Sequence, residues 1–347
     1  MRLIIKSLSL LLLLAGLLPA HARKPLQFRS DGTFKIVQFT DMHIRSQLPP
    51  QAEAVYSLMD QVIRTEQPDL IVLTGDNVTC NPAAPEIARL VRFLDERKVP
   101  WCAVYGNHDE QQELTHAQMS ALYAGGRYSR NILDGEGIMA DLELPVLGAD
   151  GEPGFYLYCM DSHSYSTALG EPCYDWFTDG QVRWMKERCA ARTTSDGSVA
   201  PALAFFHIPL LEYVQAWEQG QGRLGICAEK VCHGGLNSGM FAAMRLGGSV
   251  IGVSVGHDHN NDYIAVLHGI ALCYGRFSGS DTAYNNLPPG ARVFLLHEGV
   301  RGFETWIREG GEGRVLFHTR FDGKGLQNAP RDKSKPFGIW SDIPTEE

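Results

Sequence analysis

This chain of 347 residues predicts an α/β fold that finishes in antiparallel β structure. Three observations carry that reading. Strand-like apolar runs at 34–39, 70–73 and 101–105 alternate with helical patterns at 51–66 and 84–97, an order that implies parallel pairing through helical crossovers. Five apolar runs end abruptly in Asp, Asn or His, residue types that packing has no use for at the end of a buried strand. After residue 259 the pattern becomes a series of strands with short turns.

Taken in order, residues 1–22 stand apart from the fold. Arg2 and Lys6 make a basic start, 8–18 are apolar, and Ala20-His21-Ala22 is a small-residue cleavage site. Together they predict a secretory signal peptide and a protein exported to the periplasm or the cell exterior. The alternative, a retained membrane anchor, is disfavoured because the apolar run falls short of the ~20 residues a span requires. No other stretch approaches that length, so no membrane span is expected after cleavage. One domain is expected over 23–322.

Within it, a strand at 34–39 leads to a loop with Asp41 and His43, and the strand at 70–73 delivers Asp76. The strand at 101–105 opens into Gly106-Asn107-His108-Asp109. Residues 113–123 read as a helix and 134–154 as loop with a short strand. The run at 154–163 ends in Asp161 and His163. Thr178 is placed to cap a helix at 179–191. A strand at 202–206 delivers His207, and 215–237, rich in Gly and polar residues, reads as a lid or insertion. A short helix near 238–246 precedes the strand at 249–255, which delivers Gly256-His257-Asp258-His259. Residues 323–347 read as an exposed tail.

Charge and cysteines narrow the function. Losing the leader, with its two basic and no acidic residues, takes the formal charge from −9 to −11. An acidic chain does not draw in polyphosphate backbones, so nucleic acid is not expected as a main partner. Cys102, Cys159 and Cys273 sit in strand-like runs and read as buried thiols. Cys227 and Cys232, close together in a loop-like stretch, are the best candidates for a disulfide. No CxxC occurs, so neither a thiolate zinc site nor a thioredoxin-type centre is signalled.

The loop-enders Asp41, His43, Asp76, Asn107, His108, His207, His257 and His259 carry the chemistry. Carboxylates, neutral imidazoles and an amide oxygen suit divalent ions such as Zn, Mn, Fe or Mg. There are too many for one four-coordinate ion. Two ions sharing a carboxylate would use them, clamping a phosphoryl group and lowering the pKa of a bridging water.

In this order, Asp41-x-His43, Gly75-Asp76, Gly106-Asn107-His108-Asp109, His207 and Gly256-His257-x-His259 resemble the five blocks of the calcineurin-like metallophosphoesterases, over residues 34 to about 260. The surrounding text, FKIVQFTDMH, PALAFFHIPL, NSGMF and VGHDHNNDY, most resembles a branch near the purple acid phosphatases. The resemblance implies a four-layer α/β/β/α sandwich of two mixed sheets with two metal ions, Fe, Mn or Zn, at the strand ends. It implies Asp41, His43 and His259 on the first ion, Asn107, His207 and His257 on the second, Asp76 between them, and His108 as the non-ligand that assists the leaving group. Purple acid phosphatases carry a tyrosine ligand three residues after the bridging aspartate. Here that position is Thr79, while His43 stands at their usual glycine. The purple colour should therefore be absent, and a histidine there suits ions other than iron.

The expected function is that of an exported metal-dependent phosphoesterase acting on a small phosphate ester, foremost a phosphomonoesterase. The alternatives are a phosphodiesterase for nucleotides or lipid head groups, and a silent binding protein with the same fold. His163, Glu229, Asn237 and Ser238 are candidate substrate contacts, weighed against plain surface loops. His116, His268, His297 and His318 have no partner pattern and read as packing or surface residues. Asn77-Val78-Thr79 has the form of a glycosylation sequon, but beside Asp76 it reads as buried and structural.

Overall fold

The computed structural model describes residues 24–192, 198–281 and 283–327. The expected signal peptide lies outside them, and no described helix is long and apolar enough to cross a membrane.

Two mixed sheets lie face to face. The seven-stranded sheet runs Leu326–Gln327, Val315–Phe321, Phe303–Glu309, Gly290–His297, Thr33–Phe39, Leu70–Thr74, Trp101–Val104. Its last three strands pair in parallel through helical crossovers, as the alternation of patterns predicts. The eight-stranded sheet runs Leu26–Gln27, Leu142–Leu147, Pro153–Cys159, Ala202–Phe205, Val250–Val255, Ile270–Tyr274, Ile264–Leu267, Arg223–Leu224. The late antiparallel strands therefore divide between the sheets: Ile264–Leu267 and Ile270–Tyr274 form a hairpin in one, and the strands from Gly290 onward extend the other.

Side-chain alternation explains the layers. Along Thr33–Phe39, Phe34 and Ile36 join Leu70, Val72, Leu157, Leu203 and Phe205 between the sheets. Val37 and Phe39 turn the other way, to pack with Val55, Met59 and Leu90 of the helices Pro49–Glu66 and Ala84–Glu96. Helices Asp179–Ala190, Glu212–Gln219 and Met240–Gly247 cover the other sheet through Met185, Trp217 and Met244. These three apolar layers make a helix–sheet–sheet–helix sandwich. Gln38, fully buried on the inter-sheet face, donates to Thr74 Oγ1 (2.8 Å) and Val255 O (3.1 Å) and accepts from Ser254 Oγ (2.5 Å), tying the sheets together directly beneath the strand ends.

Some boundaries move. Thr115, with a capping box to Gln118, starts the third helix at His116 rather than 113, and it runs to Ala124. Thr178 caps the fourth helix as expected. The supposed lid over 215–237 is a correction. Its first part is the end of the helix Glu212–Gln219, whose Tyr213, Ala216 and Trp217 are buried, and Arg223–Leu224 pairs with Ile264–Leu267. The short link 220–222 and the stretch 225–239 are what stays irregular. Leu326–Gln327 pairs with Val315–Phe321, so the sheet continues past residue 322; residues 328–347 of the expected tail lie outside those described. All eight cysteines are free. Cys227 and Cys232 are not joined, because Cys227 is held in a bridge to Asn261 and the Cys232 N–H donates to Asp258. Cys102 and Cys159 meet between the sheets with sulfurs 3.5 Å apart, as buried thiols.

Candidate metal centre

Five strand ends meet at one edge of the sandwich. Thr33–Phe39, Leu70–Thr74 and Trp101–Val104 deliver Asp41, His43, Asp76, Asn107 and His108; Ala202–Phe205 and Val250–Val255 deliver His207, His257 and His259. The turns that follow are tight. A Cβ on Gly256 would stand 1.9 Å from Thr40 Oγ1 and 2.5 Å from Asp41 Oδ2, and one on Gly106 would stand 2.3 Å from Asp76 Oδ1. Only glycine fits at either position. Asp41, His43, Asp76 and His257 all hold left-handed φ, between 43° and 79°. Each such residue costs about 1–3 kcal/mol, and strain of this kind gathers at functional sites.

Asp41, His43 and His259 form one cluster of ligand atoms, and Asp41, Asp76 and His207 a second. Asp76 Oδ2 lies 3.5 Å from His43 Nε2 and 3.4 Å from His207 Nε2, a position between the two clusters. Asp41 Oδ1 is 3.5 Å from His259 Nε2. Asn107 Oδ1 (3.1 Å) and His257 Nδ1 (3.2 Å) both face His207 Nε2. Apart from His257 at 7 % exposure, these residues are 4 % exposed or less.

The ring contacts test whether cations fit here. His207 donates its Nδ1–H to Thr74 O (2.8 Å), and His259 donates its Nδ1–H to Tyr284 O (2.6 Å). In the neutral rings each Nε2 then presents a lone pair. His259 Nε2 faces His43 Nε2 at 3.3 Å, and His207 Nε2 faces both the Asn107 oxygen and His257 Nδ1. Lone pairs and carboxylate oxygens aimed at common points repel one another unless cations sit between them, so the residues fit two divalent ions. The electrostatics divide the rings: burial holds two of them neutral, while the carboxylates of the site draw protons onto His207 and His259. Burial pulls His43 down to about 4 and His257 down to about 3, keeping both neutral. Burial works to raise Asp41, but the hydrogen bond and charge of His259 and the charge of His207 outweigh it and hold the carboxyl at about 2. Asp76 is likewise held well below the usual carboxylate range, chiefly by His207 working against burial. Burial opposes a proton on His207, yet Asp76 prevails and raises it to about 10, the response of an imidazole in an anionic site that a cation would otherwise neutralise.

Around this set the loops are fixed by backbone bonds. Asp109, whose role the sequence alone left open, accepts from the N–H groups of Gly106 (2.9 Å), Asn77 (3.0 Å) and Val78 (3.3 Å), binding the loop of Asn107 to that of Asp76. The His108 N–H donates to Asp76 Oδ1 (2.8 Å). Its ring sits half-buried 5.3 Å from that of His43, with Nδ1 bonded to Gln111 Oε1 (2.8 Å). Asn77 is buried, its amide nitrogen donating to Val104 O, so the sequon is structural. Thr79 Oγ1 takes a hydrogen bond from Arg45 Nε (3.1 Å).

The candidate substrate contacts separate. Glu229 accepts from the Asn260 N–H (3.0 Å) and from Tyr284 OH (3.3 Å), next to His259. His163 is bonded to Gln181 (2.8 Å). Asn237 is tied to Glu212 (2.9 Å) and, with Ser238, lines a small cavity beside Trp176 and Ile208. His297 and His318 pair with Glu304, and His116 with Glu110. Sequence reasoning missed three tyrosines. Tyr284 stacks on His259 (4.3 Å, 16°), Tyr174 stands edge-on to His257 (4.4 Å, 90°), and Tyr165 OH accepts from Asn107 Nδ2 (2.7 Å). Tyr165 and Tyr174 face each other across a two-stranded ribbon, Tyr165–Ser166 with Cys173–Tyr174, and Tyr284 comes from a loop far along the chain; no spacing rule marks them.

Residues 34–261 match the model of the calcineurin-like phosphoesterase family. An Arabidopsis thaliana protein named "Probable inactive purple acid phosphatase 29" is 32% identical over 74% of this chain and 75% of its own length. A phosphatase of Saccharomyces cerevisiae is 29% identical over 84% of this chain, which spans 56% of that protein. The crystal structure of a dimetal phosphatase from Danio rerio superimposes with a TM-score of 0.56 at 15% identity, over 82% of this chain and 99% of that one.

Proposed function

Because the chain belongs to the calcineurin-like phosphoesterase family, we propose that it is an active phosphomonoesterase working with two divalent ions. One observation carries the proposal: every donor of the two clusters is present and aimed inward, with His108 beside them. The word "inactive" in the name of the Arabidopsis relative belongs to that protein.

Bound there, two divalent ions would supply positive charge to the phosphoryl oxygens and lower the pKa of an attacking water. Asp41, His43 and His259 would hold one, Asn107, His207 and His257 the other, with Asp76 between. His43 replaces what purple acid phosphatases build around a tyrosine, so a colourless centre of zinc or manganese, or of iron without tyrosinate, is the reading. His108 keeps its Nδ1–H on Gln111 and presents Nε2 to the ester oxygen, where a protonated ring gives its proton to the departing alkoxide. Asp109 holds the Asn107 and Asp76 loops in register. The rest of the reading is an exported protein, cut before Arg23, whose ligand is a small ester.

The test pairs p-nitrophenyl phosphate with its bis-ester on metal-loaded protein, with a chelator control. A much faster monoester, abolished by chelation, supports the proposal. A faster bis-ester assigns the same centre to diesters, and no turnover of either makes the chain a binding protein.

A further inference from the structure

Beside the buried ligands stands an exposed aromatic ring that offers no ligand atom of its own. Tyr284 lies with one face on His259 at 4.3 Å and 16°, while the residue stays 58% exposed. Its peptide oxygen takes the His259 Nδ1–H, and its hydroxyl donates to Glu229 Oε1 (3.3 Å). Two residues on, the Asn286 N–H donates to Asn260 Oδ1 (2.7 Å). The ring is thus held against His259 by the bonds of its peptide and hydroxyl, while more than half of the residue stays exposed. What sets this ring apart from an ordinary exposed tyrosine is its place against His259, where a flat group bound at the centre could bury it at about 25 cal/mol for each Å². The other ion position is walled the same way: Tyr165, 49% exposed, stacks on Tyr174 (5.4 Å, 28°), which meets His257 edge-on.

We propose that the esterified group carries a flat aromatic ring, an aryl group or a nucleobase, and that this ring stacks on the outer face of Tyr284. The inference rests on the phosphoesterase reading and names the substrate class that the same site selects. Tyr284 is a specificity residue: a pre-placed ring costs little ordering on binding, and the aromatic pair prefers a flat partner to a puckered one of equal bulk.

The experiment measures binding by calorimetry, with metal-loaded protein and two non-hydrolysable probes, phenylphosphonate and cyclohexylphosphonate. They share the phosphonate and the ring size and differ in flatness. Wild type should prefer phenyl by roughly three- to tenfold. Tyr284→Leu should bring the ratio close to one, and Tyr284→Phe should keep it, with unchanged metal content showing that both variants fold. A ratio near one in wild type, or an undiminished ratio in Tyr284→Leu, overturns the proposal while leaving the phosphoesterase reading intact. Failure of both probes to bind overturns the centre itself, and the proposal with it. Hydrolysis of adenosine 5′-monophosphate set against ribose 5-phosphate then separates the two sources. A clear preference for the nucleotide assigns the ring to a base, and equal rates assign it to an aryl group.

Discussion

Replacing His108 by Gln isolates the proton-transfer step. The His108 N–H that bonds Asp76 Oδ1 belongs to the backbone, and Asp109 holds the loop, so the substitution leaves the ligand frame standing. What is lost is the Nε2 proton. Positioned general acids are worth about 10²–10⁴ in rate, and 1.36 kcal/mol of barrier is a factor of ten. An alkyl phosphate, whose alkoxide is a poor leaving group, draws on that proton in full, so its kcat/KM should fall roughly 10³-fold, about 4 kcal/mol of barrier. p-Nitrophenyl phosphate, whose phenolate leaves readily, should lose only about tenfold, because little proton transfer is needed in its transition state. The assay is kcat/KM on both esters for wild type and variant at equal metal loading. Equal losses on the two esters would refute the proton-donor role and leave His108 as a phosphate contact. Loss of metal in the variant would refute the claim that it is not a ligand.

Three further outcomes follow from the geometry. Gly106→Ala puts a Cβ 2.3 Å from Asp76 Oδ1 and 2.4 Å from Asp76 N; overpacking of this kind costs about 1–3 kcal/mol, so Tm and metal content should fall together, by calorimetry and elemental analysis. Glu66, 3% exposed, joins the first helix to the sheet through Lys35, Trp306 and Arg308, whose bonds outweigh burial and hold its carboxyl below the usual range. A depressed carboxylate stabilises above its unfolded pKa of about 4.3 and loses that contribution as pH falls through the folded value. Glu66→Gln should therefore cost roughly 1.5–3 kcal/mol near neutral pH, the worth of hydrogen bonds to a charged group, with the gap to wild type narrowing as pH falls below about 4 in urea titrations. Asn77 should carry no glycan when the chain is expressed through a eukaryotic secretory route; an added glycan mass at Asn77 would mean the loop is exposed, contrary to its burial.

The sequence exposed what chemistry demands of single residues. Each ligand stands one to four residues past an apolar run, so the strand ends and their cargo could be read directly, and the glycines beside them are explained by backbone crowding. Thr178 showed its cap for the same reason, a local bond with a local pattern. What stayed hidden depends on contacts between distant segments. Residues 215–219 look like loop by composition, yet Tyr213, Ala216 and Trp217 give their helix a buried face that only the sheet beneath reveals. The division of the late strands between two sheets depends on Ile270–Tyr274 pairing in parallel with Val250–Val255, which no turn signal encodes. Tyr165 and Tyr174, paired in a two-stranded ribbon, and Tyr284, in a loop more than 100 residues further on, reach the centre from distant segments, so their place beside His257 and His259 is a property of the fold alone.

The most direct test of the two-ion centre is to count metal per chain in protein purified and reloaded with zinc or manganese, for wild type and for Asp76→Asn. Asp76 Oδ2 stands between the clusters, 3.5 Å from His43 Nε2 and 3.4 Å from His207 Nε2. Two equivalents are expected in wild type and fewer than two in the variant, with hydrolysis of p-nitrophenyl phosphate lost alongside. One equivalent or none in wild type, or two retained without Asp76, would contradict the two-ion centre.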